Sequence, residues 1–347
     1  MIRVVVAEDS RAERALLVAI LESDPAIRVV GEAADGSEAV EMTMRLRPDL
    51  VTMDVHMPRV DGLEATREIM VRAPTPIVVV SSSVRPDDIA LSLRATEAGA
   101  LAAVAKPESP VSPRFDEDRA QLVAMVKAMA DVKVVRRWSG RREADAPPVP
   151  TPAAPVRLVA IAASTGGPVA LQTILGALPA SFPAPVLVVQ HLSRGFVAVL
   201  ARWLDSATAL RVKVAEAGER LLPGVVYLAP DDEHLGVTPD GAVELAATPP
   251  EEGFRPSASH LFRSASAAYG DSLLAVILTG MGSDGVGGLR QAHAAGALVL
   301  AQDEASSVIY GMPGEAVRAG VVGGVLPLHS IGPRLARLVS SGTADDA

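Results

Sequence analysis

The sequence predicts an α/β protein of two doubly wound parallel-sheet domains, a (βα)5 domain followed by a Rossmann-like domain. Its 347 residues exceed the roughly 150 expected of one domain. On both sides of a proline-rich segment, short β-branched runs alternate with helical stretches, which is the pattern of a parallel sheet covered by helices. The runs are almost continuously apolar, as in strands that are buried on both faces.

The composition excludes several functional classes. A net charge of −9 argues against a nucleic-acid partner or an anionic membrane surface, because both require a basic face. The absence of cysteine excludes disulfides, thiol catalysis and cysteine-ligated zinc. No signal-peptide pattern and no 18-residue apolar run is present, so we expect a cytoplasmic protein without membrane insertion.

The domain boundary is predicted from proline content. Five prolines fall within nine residues, at Pro147, Pro148, Pro150, Pro152 and Pro155. Proline lacks the backbone donor and favours extended chain, so this segment is typical of a semi-rigid spacer. We therefore predict a first domain at 1–130, a linker at 131–155, a second domain at 156–335 and a tail at 336–347.

Elements of the first domain alternate in order along the chain. The predicted strands are Ile2–Val6, Arg28–Gly31, Leu50–Met53, Ile77–Val80 and Ala102–Ala105. The predicted helices are Ala12–Glu22, Ser37–Arg47, Leu63–Val71, Asp87–Glu97 and Arg119–Ala130. In the second domain the predicted strands are Leu158–Ala162, Val186–Val189, Val225–Leu228, Leu273–Leu278 and Ala297–Leu300.

Polar residues follow the strands of the first domain. Glu8, Asp9, Asp54, Ser81 and Lys106 all fall at carboxyl ends of strands, where ligands collect in this fold. Clustered carboxylates favour Mg²⁺, a lysine and a hydroxyl suit a phosphoryl group, and a carboxylate can accept one. Any one of these residues alone is more often a turn or cap residue. Five such residues at the carboxyl ends of the strands together favour a phosphoryl-accepting site.

In the second domain, Ser164 stands between a strand and a helix. Two glycines and Pro168 follow it, and the Thr165 amide with the helix N-terminus can stabilise developing negative charge. A plain N-cap serine and a phosphate-binding glycine loop are the alternatives, although neither GxGxxG nor GxxxxGK[ST] is present.

Two further strand ends complete a candidate catalytic set. His191 ends one strand, and Asp284 lies in a glycine-rich loop after another, so nucleophile, base and orienting carboxylate are all available. His234 also follows a strand and is a rival base. The remaining histidines are expected to be structural or exposed, and no HExxH pattern indicates zinc.

Both domains resemble known families. Residues 1 to about 130 resemble a response-regulator receiver domain, with DVHMPRVDG around Asp54 as the phosphoacceptor segment. Residues from about 156 to 335 look like the catalytic domain of the chemotaxis protein-glutamate methylesterases. That resemblance rests on SerThrGlyGlyPro at 164–168, Gln190-His191, the segment ending at His234, PheArgProSer at 254–257 and ThrGlyMetGly-x-AspGly at 279–285.

The resemblance implies specific roles. Asp54 would be phosphorylated by a histidine kinase with Glu8, Asp9 and Mg²⁺ assisting, and Ser81 and Lys106 would sense the phosphoryl group. Catalysis would use Ser164, His191 and Asp284, with oxyanion donors at Thr165 and Met281.

The implied activity is hydrolysis of glutamate methyl esters, and deamidation of glutamines, on the cytoplasmic helices of methyl-accepting chemoreceptors. A phosphorylation-controlled binding protein without catalysis, or a small-ester hydrolase, remains the alternative. The sequence departs from the families at Ala103, where receivers often carry an aromatic, and at Ala258-Ser259-His260, where valine and aspartate are usual.

Overall fold

The computed structural model describes residues 1–81, 86–107, 109–132 and 149–340. The chain separates into two compact units, with the boundary between Ser139 and Gly140. Each unit contains a parallel sheet with helices, so the predicted fold class is confirmed. Most of the predicted linker, residues 133–148, lies outside the described residues, as does the segment 341–347. No helix in the described ranges is long and apolar enough to cross a membrane.

The first unit alternates strands and helices. In chain order these are β1 (Ile2–Ala7), α1 (Arg11–Glu22), β2 (Ile27–Ala33), α2 (Gly36–Leu46), β3 (Leu50–Met53), α3 (Gly62–Arg72), β4 (Ile77–Ser81), α4 (Pro86–Glu97), β5 (Ala102–Ala105) and α5 (Phe115–Ala130). The strands form one parallel sheet in the order β2-β1-β3-β4-β5. Strands β3 and β4 are buried along their whole length, as expected for the centre of a sheet covered on both faces.

The helix α5 begins four residues before its predicted start. Its first turn contains Asp116, Glu117 and Asp118, whose charges favour a helix N-terminus. The apolar periodicity used for the prediction becomes visible only at Leu122, Val126 and Met129, which are the buried positions.

The second unit is larger. Its elements are β6 (Leu158–Ala163), α6 (Gly167–Leu175), β7 (Val186–Gln190), α7 (Val197–Ala207), β8 (Arg211–Val214), β9 (Val225–Leu228), β10 (His234–Val237), β11 (Val243–Ala246), α8 (Ala258–Tyr269), β12 (Leu273–Ile277), α9 (Val286–Ala294), β13 (Leu298–Gln302), α10 (Met312–Arg318), β14 (Gly324–Leu326) and α11 (Leu328–Ser340). Seven strands form a parallel sheet in the order β14-β13-β12-β6-β7-β9-β8, and β10 pairs with β11 as an antiparallel hairpin.

Four strands of this unit were absent from the sequence prediction. Strands β8 and β14 form the two edges of the sheet. The sequence signal of each is weak, because β8 alternates polar and apolar residues and β14 has only three residues. The hairpin β10–β11 packs against α8 and lies outside the large sheet. These elements depend on tertiary contacts more than on their own periodicity.

The predicted tail begins too early. Helix α11 continues to Ser340, and its residues Leu338 and Val339 are buried. Residues 336–340 are therefore part of the folded unit, because their apolar side chains are removed from water.

Candidate functional site

Ser164 is held by its own backbone at the end of β6. Its N–H donates to the Thr279 carbonyl at 3.0 Å, and its carbonyl accepts from Gly167 N at 2.8 Å. The side-chain amide of Gln190 also donates to that carbonyl, at 2.8 Å. A Cβ at Gly280 would lie 2.7 Å from the Ser164 Cβ, so only glycine permits this approach. The serine side chain is thus presented, half-buried, between β6 and α6.

The register of two adjacent strands places His191 next to this turn. Ala163 of β6 pairs with Gln190 of β7, and His191 N donates to the Ala163 carbonyl at 3.0 Å. Ser164 and His191 therefore each follow one member of a register pair. The His191 ring stacks on Phe254, with centroids 4.3 Å apart and planes 12° apart.

Asp284 orients the imidazole. Its Oδ2 lies 2.9 Å from Nε2 of His191. Because a carboxylate can only accept, this contact places a proton on Nε2, and in the neutral imidazole Nδ1 then carries the lone pair. Nδ1 is buried and has no hydrogen-bond partner among the described residues. The arrangement therefore leaves one ring nitrogen available to take a proton.

The N-terminus of α8 holds the Asp284 carboxylate. It accepts hydrogen bonds from Ser257 Oγ at 2.9 Å, from Ala258 N at 2.7 Å and from Ser259 N at 3.0 Å. Burial works to raise the pKa of Asp284, but His191 and the two backbone donors outweigh it and lower that pKa below its ordinary value. Asp284 is consequently an anion in a nearly inaccessible position.

The two predicted oxyanion donors flank the serine. Thr165 is buried directly after Ser164, and Met281, which follows Gly280, is 38% exposed. Within the described ranges, no group accepts a hydrogen bond from the Met281 N–H. That amide can therefore serve a ligand.

His234 has a different role from the one considered for it. It is fully buried in β10, where Nε2 lies 3.1 Å from the Pro249 carbonyl and Nδ1 accepts from Ser257 N at 3.1 Å. Its ring also stacks on His260 at 4.7 Å. Both ring nitrogens of His234 thus have hydrogen-bond partners. His234 is linked to Asp284 through Ser257, whose N–H donates to His234 and whose hydroxyl donates to Asp284. His56, His293 and His329 are exposed.

Sequence reasoning missed the supporting residues Phe254 and Ser257. Both lie in the PheArgProSer segment, but nothing local in that segment shows that it contacts His191 and Asp284. A usable signal was the serine before an apolar helical run, which is typical of an N-cap. Ala258 and Ser259, which stand in the segment where valine and aspartate are usual, bind Asp284 through their backbone N–H groups. These contacts do not depend on which side chain is present.

The acidic rim of the first unit converges as the topology requires. Carboxylate oxygens of Glu8, Asp9 and Asp54 lie within 4.8 Å of one another. Lys106 Nζ lies 2.8 Å from Glu8, 2.9 Å from Asp54 and 2.6 Å from Glu13. Glu13, on α1, was not anticipated from the sequence. Ser81 ends β4, and its buried Oγ has no partner among the described residues.

The electrostatics of this rim favour binding of a cation. Burial raises the pKa of Glu8 to about 7, with Lys106 opposing and Asp54 reinforcing the shift. Burial likewise raises the pKa of Asp54, against Lys106. Burial would lower the pKa of Lys106, but the surrounding carboxylates raise it. Carboxylates that lie close together and half-desolvated are the hard oxygen ligands that suit Mg²⁺, so the residues fit that ion.

Comparisons with known proteins agree with both units. The family model for the CheB methylesterase matches residues 159–335, and that for the response regulator receiver domain matches residues 4–112. A protein-glutamate methylesterase/protein-glutamine glutaminase of Myxococcus xanthus (strain DK1622) is 58% identical over 340 residues, covering 96% of each chain. Another, of Geobacter metallireducens, is 50% identical and covers 94% of this chain and 96% of its own.

A solved structure supports the second unit. The crystal structure of the Thermotoga maritima CheB methylesterase catalytic domain is 41% identical, with a TM-score of 0.52. It covers 53% of this chain and 99% of its own.

Fold, site and comparisons together define a response regulator in which a receiver domain is joined to a hydrolase. The chain belongs to the CheB methylesterase family. The predicted resemblance is therefore confirmed, and the chain is an enzyme, a carboxylic-ester hydrolase.

Proposed function

We propose that this enzyme hydrolyses glutamate methyl esters, and deamidates glutamines, on the cytoplasmic helices of methyl-accepting chemoreceptors. We assign catalysis to the second unit. The domain ranges are those predicted from the sequence, except that the folded part of the second unit extends to Ser340. The observation that carries the proposal is the buried Asp284 anion 2.9 Å from His191 Nε2, with Nδ1 free of other described partners.

In the proposed first half of the reaction, each group of the site has one role. His191 Nδ1 takes the hydroxyl proton as Ser164 Oγ attacks the γ-carbonyl carbon. The backbone N–H groups of Thr165 and Met281 hold the tetrahedral oxyanion, a contribution of roughly 2.7–4 kcal/mol per donor. Asp284 stabilises the imidazolium that forms. As the intermediate collapses, the imidazolium proton passes to the leaving oxygen and methanol departs.

Hydrolysis of the acyl-enzyme repeats these steps with water. His191 takes a proton from the water as its oxygen attacks the acyl carbon, and Ser164 regains a proton when it leaves. The product is glutamate. When the substrate is glutamine, the same steps release ammonia instead of methanol.

The receiver domain supplies the control. Asp54 would accept a phosphoryl group from a histidine kinase. Glu8, Asp9 and Asp54 would hold a Mg²⁺ ion, which would neutralise the charge of this cluster. Lys106 and Ser81 would contact the phosphoryl oxygens. We further propose that the unphosphorylated receiver obstructs access of the large receptor helices to Ser164. Because the proposed substrate is the cytoplasmic part of the receptors, we propose a cytoplasmic location for the enzyme.

Methanol release from methylated receptor tests the catalytic assignment. The variant Ser164→Ala should lose at least about 10³-fold in rate, because the nucleophile is gone. The matched control is Ser181→Ala, an exposed serine before β7, which should keep the wild-type rate. Release that survives Ser164→Ala would disprove the nucleophile, and release unaltered by any triad substitution would favour a non-enzymatic regulator contaminated by another esterase.

A further inference from the structure

The imidazole of His191 is held by two groups of different kinds. Asp284 fixes one atom of the ring, Nε2, through a hydrogen bond. A single hydrogen bond leaves the ring plane free to turn about it. Phe254 contacts the flat face, with an interplanar angle of 12°, and this contact is what fixes the plane.

Phe254 itself ends a closed turn. Glu251 N donates to the Phe254 carbonyl at 3.0 Å, and Phe254 N donates to the Glu251 carbonyl at 2.9 Å. Between them, Glu252 and Gly253 have φ values of 52° and 86°. Two successive left-handed residues closed by reciprocal hydrogen bonds make a tight two-residue turn. Phe254 is therefore presented on a stiff support.

The turn is attached to α8 through a charged contact. One nitrogen of Arg263 lies 2.6 and 2.8 Å from the two carboxylate oxygens of Glu251. His260 Nδ1 lies 3.0 Å from Glu251 as well. Burial works to raise the pKa of Glu251, but Arg263 and His260 lower it, so the carboxylate is charged in this contact.

One helix thus holds both groups that act on the imidazole. The N-terminus of α8 binds Asp284 directly, and Arg263 and His260 hold Phe254 through Glu251. Because both are tied to α8, the positions of Asp284 and Phe254 relative to each other are fixed by one helix.

We propose that Phe254 is a positioning residue, which keeps the His191 ring in the plane where Nε2 meets Asp284 and Nδ1 is left without another partner among the described residues. The proposal rests on the function proposed above. Phe254 itself contacts no reacting atom in this role. The expected consequence of losing its flat face is a lower rate of proton transfer with unchanged substrate binding.

The test uses the full-length enzyme carrying Phe254→Leu, Phe254→Tyr or the control Phe182→Leu. Phe182 is a buried phenylalanine before the amino-terminal end of β7, whereas His191 follows the carboxyl end of that strand. Phe254→Leu should lower kcat for methanol release about tenfold with KM within about twofold, since a small misplacement of a catalytic group is costly. Phe254→Tyr retains the flat ring and should restore kcat.

A spectroscopic readout separates positioning from general damage. In enzyme labelled with ¹⁵N-histidine, the signals lost in His191→Gln identify His191. Wild type and Phe254→Tyr should show the fixed tautomer protonated on Nε2, whereas Phe254→Leu should show averaged tautomers. Wild-type kcat and a fixed tautomer in Phe254→Leu would overturn the proposal, as would an equal loss in Phe182→Leu. The ¹⁵N signals need no turnover, so they judge Phe254 even if Ser164→Ala shows that the proposed reaction is wrong.

Discussion

Nε2 of His191 lies 2.9 Å from Oδ2 of Asp284, and that carboxylate is bound by the N-terminus of α8. Three donors besides His191 hold Asp284, so its position does not depend on the imidazole. The carboxylate can therefore set the tautomer of His191 rather than follow it. This relationship is the basis of the predictions on catalysis.

Replacing Asp284 by asparagine should lower kcat by roughly 10³-fold or more, because an amide neither fixes the tautomer nor stabilises the imidazolium. The measurement is the initial rate of methanol release from methylated receptor. Asp271→Asn, at an exposed position, is the matched control and should match wild type. If the Asp284→Asn enzyme kept more than a tenth of the wild-type kcat, the result would show that Asp284 does not orient His191.

The lowered pKa of Asp284 predicts a pH dependence of stability. A carboxyl whose pKa is lowered by folding stabilises the native state above its unfolded pKa of about 4, and this contribution is lost as the pH falls through the folded value. The difference in unfolding free energy between wild type and Asp284→Asn should therefore be largest near neutrality and shrink in acid. Urea unfolding of a 156–347 fragment reports it through Trp203, the one tryptophan in that range. A difference that is constant or grows toward acid would contradict the prediction.

Phosphorylation should raise the rate through Asp54. A small phosphodonor with Mg²⁺ is expected to stimulate methanol release by the wild type but not by Asp54→Asn, which lacks the acceptor carboxylate. Asp116→Asn, whose side chain is 86% exposed on α5, should respond like wild type. Stimulation that persists in Asp54→Asn would place the acceptor elsewhere.

Removal of the receiver should release the catalytic unit. The isolated catalytic domain of the Thermotoga maritima relative has been crystallised, which supports the use of a 156–347 fragment. On methylated receptor this fragment should be about five- to 150-fold faster than the unphosphorylated full chain, the range of typical coupling energies. On a small ester the two should be equal, because obstruction acts on large substrates. Equal rates on receptor would refute obstruction.

The sequence predicted the parts of the site that lie at strand ends. Ser164 and His191 each follow a buried apolar run, and the order of elements alone places them at one edge of the sheet. The same reasoning brought Glu8, Asp54 and Lys106 together in the receiver.

The contacts that support the site could not be predicted in this way. Phe254 and Ser257 act across separations of 63 and 27 residues on His191 and Asp284, and the segment containing them has no strand or helix periodicity of its own. Glu13 was missed for a related reason, since its role comes from α1 packing beside Lys106 rather than from a strand end. Such contacts are set by tertiary packing, which local patterns do not specify.

The central claim is that Ser164 attacks the ester carbonyl and carries the acyl group. Its most direct test is rapid quenching of the enzyme during turnover of a glutamyl methyl ester peptide, followed by peptide mapping with mass spectrometry. The account predicts a peptide-acyl adduct on the segment that contains Ser164, and its loss in Ser164→Ala. An adduct on another residue, or undiminished turnover by Ser164→Ala without an adduct, would contradict it.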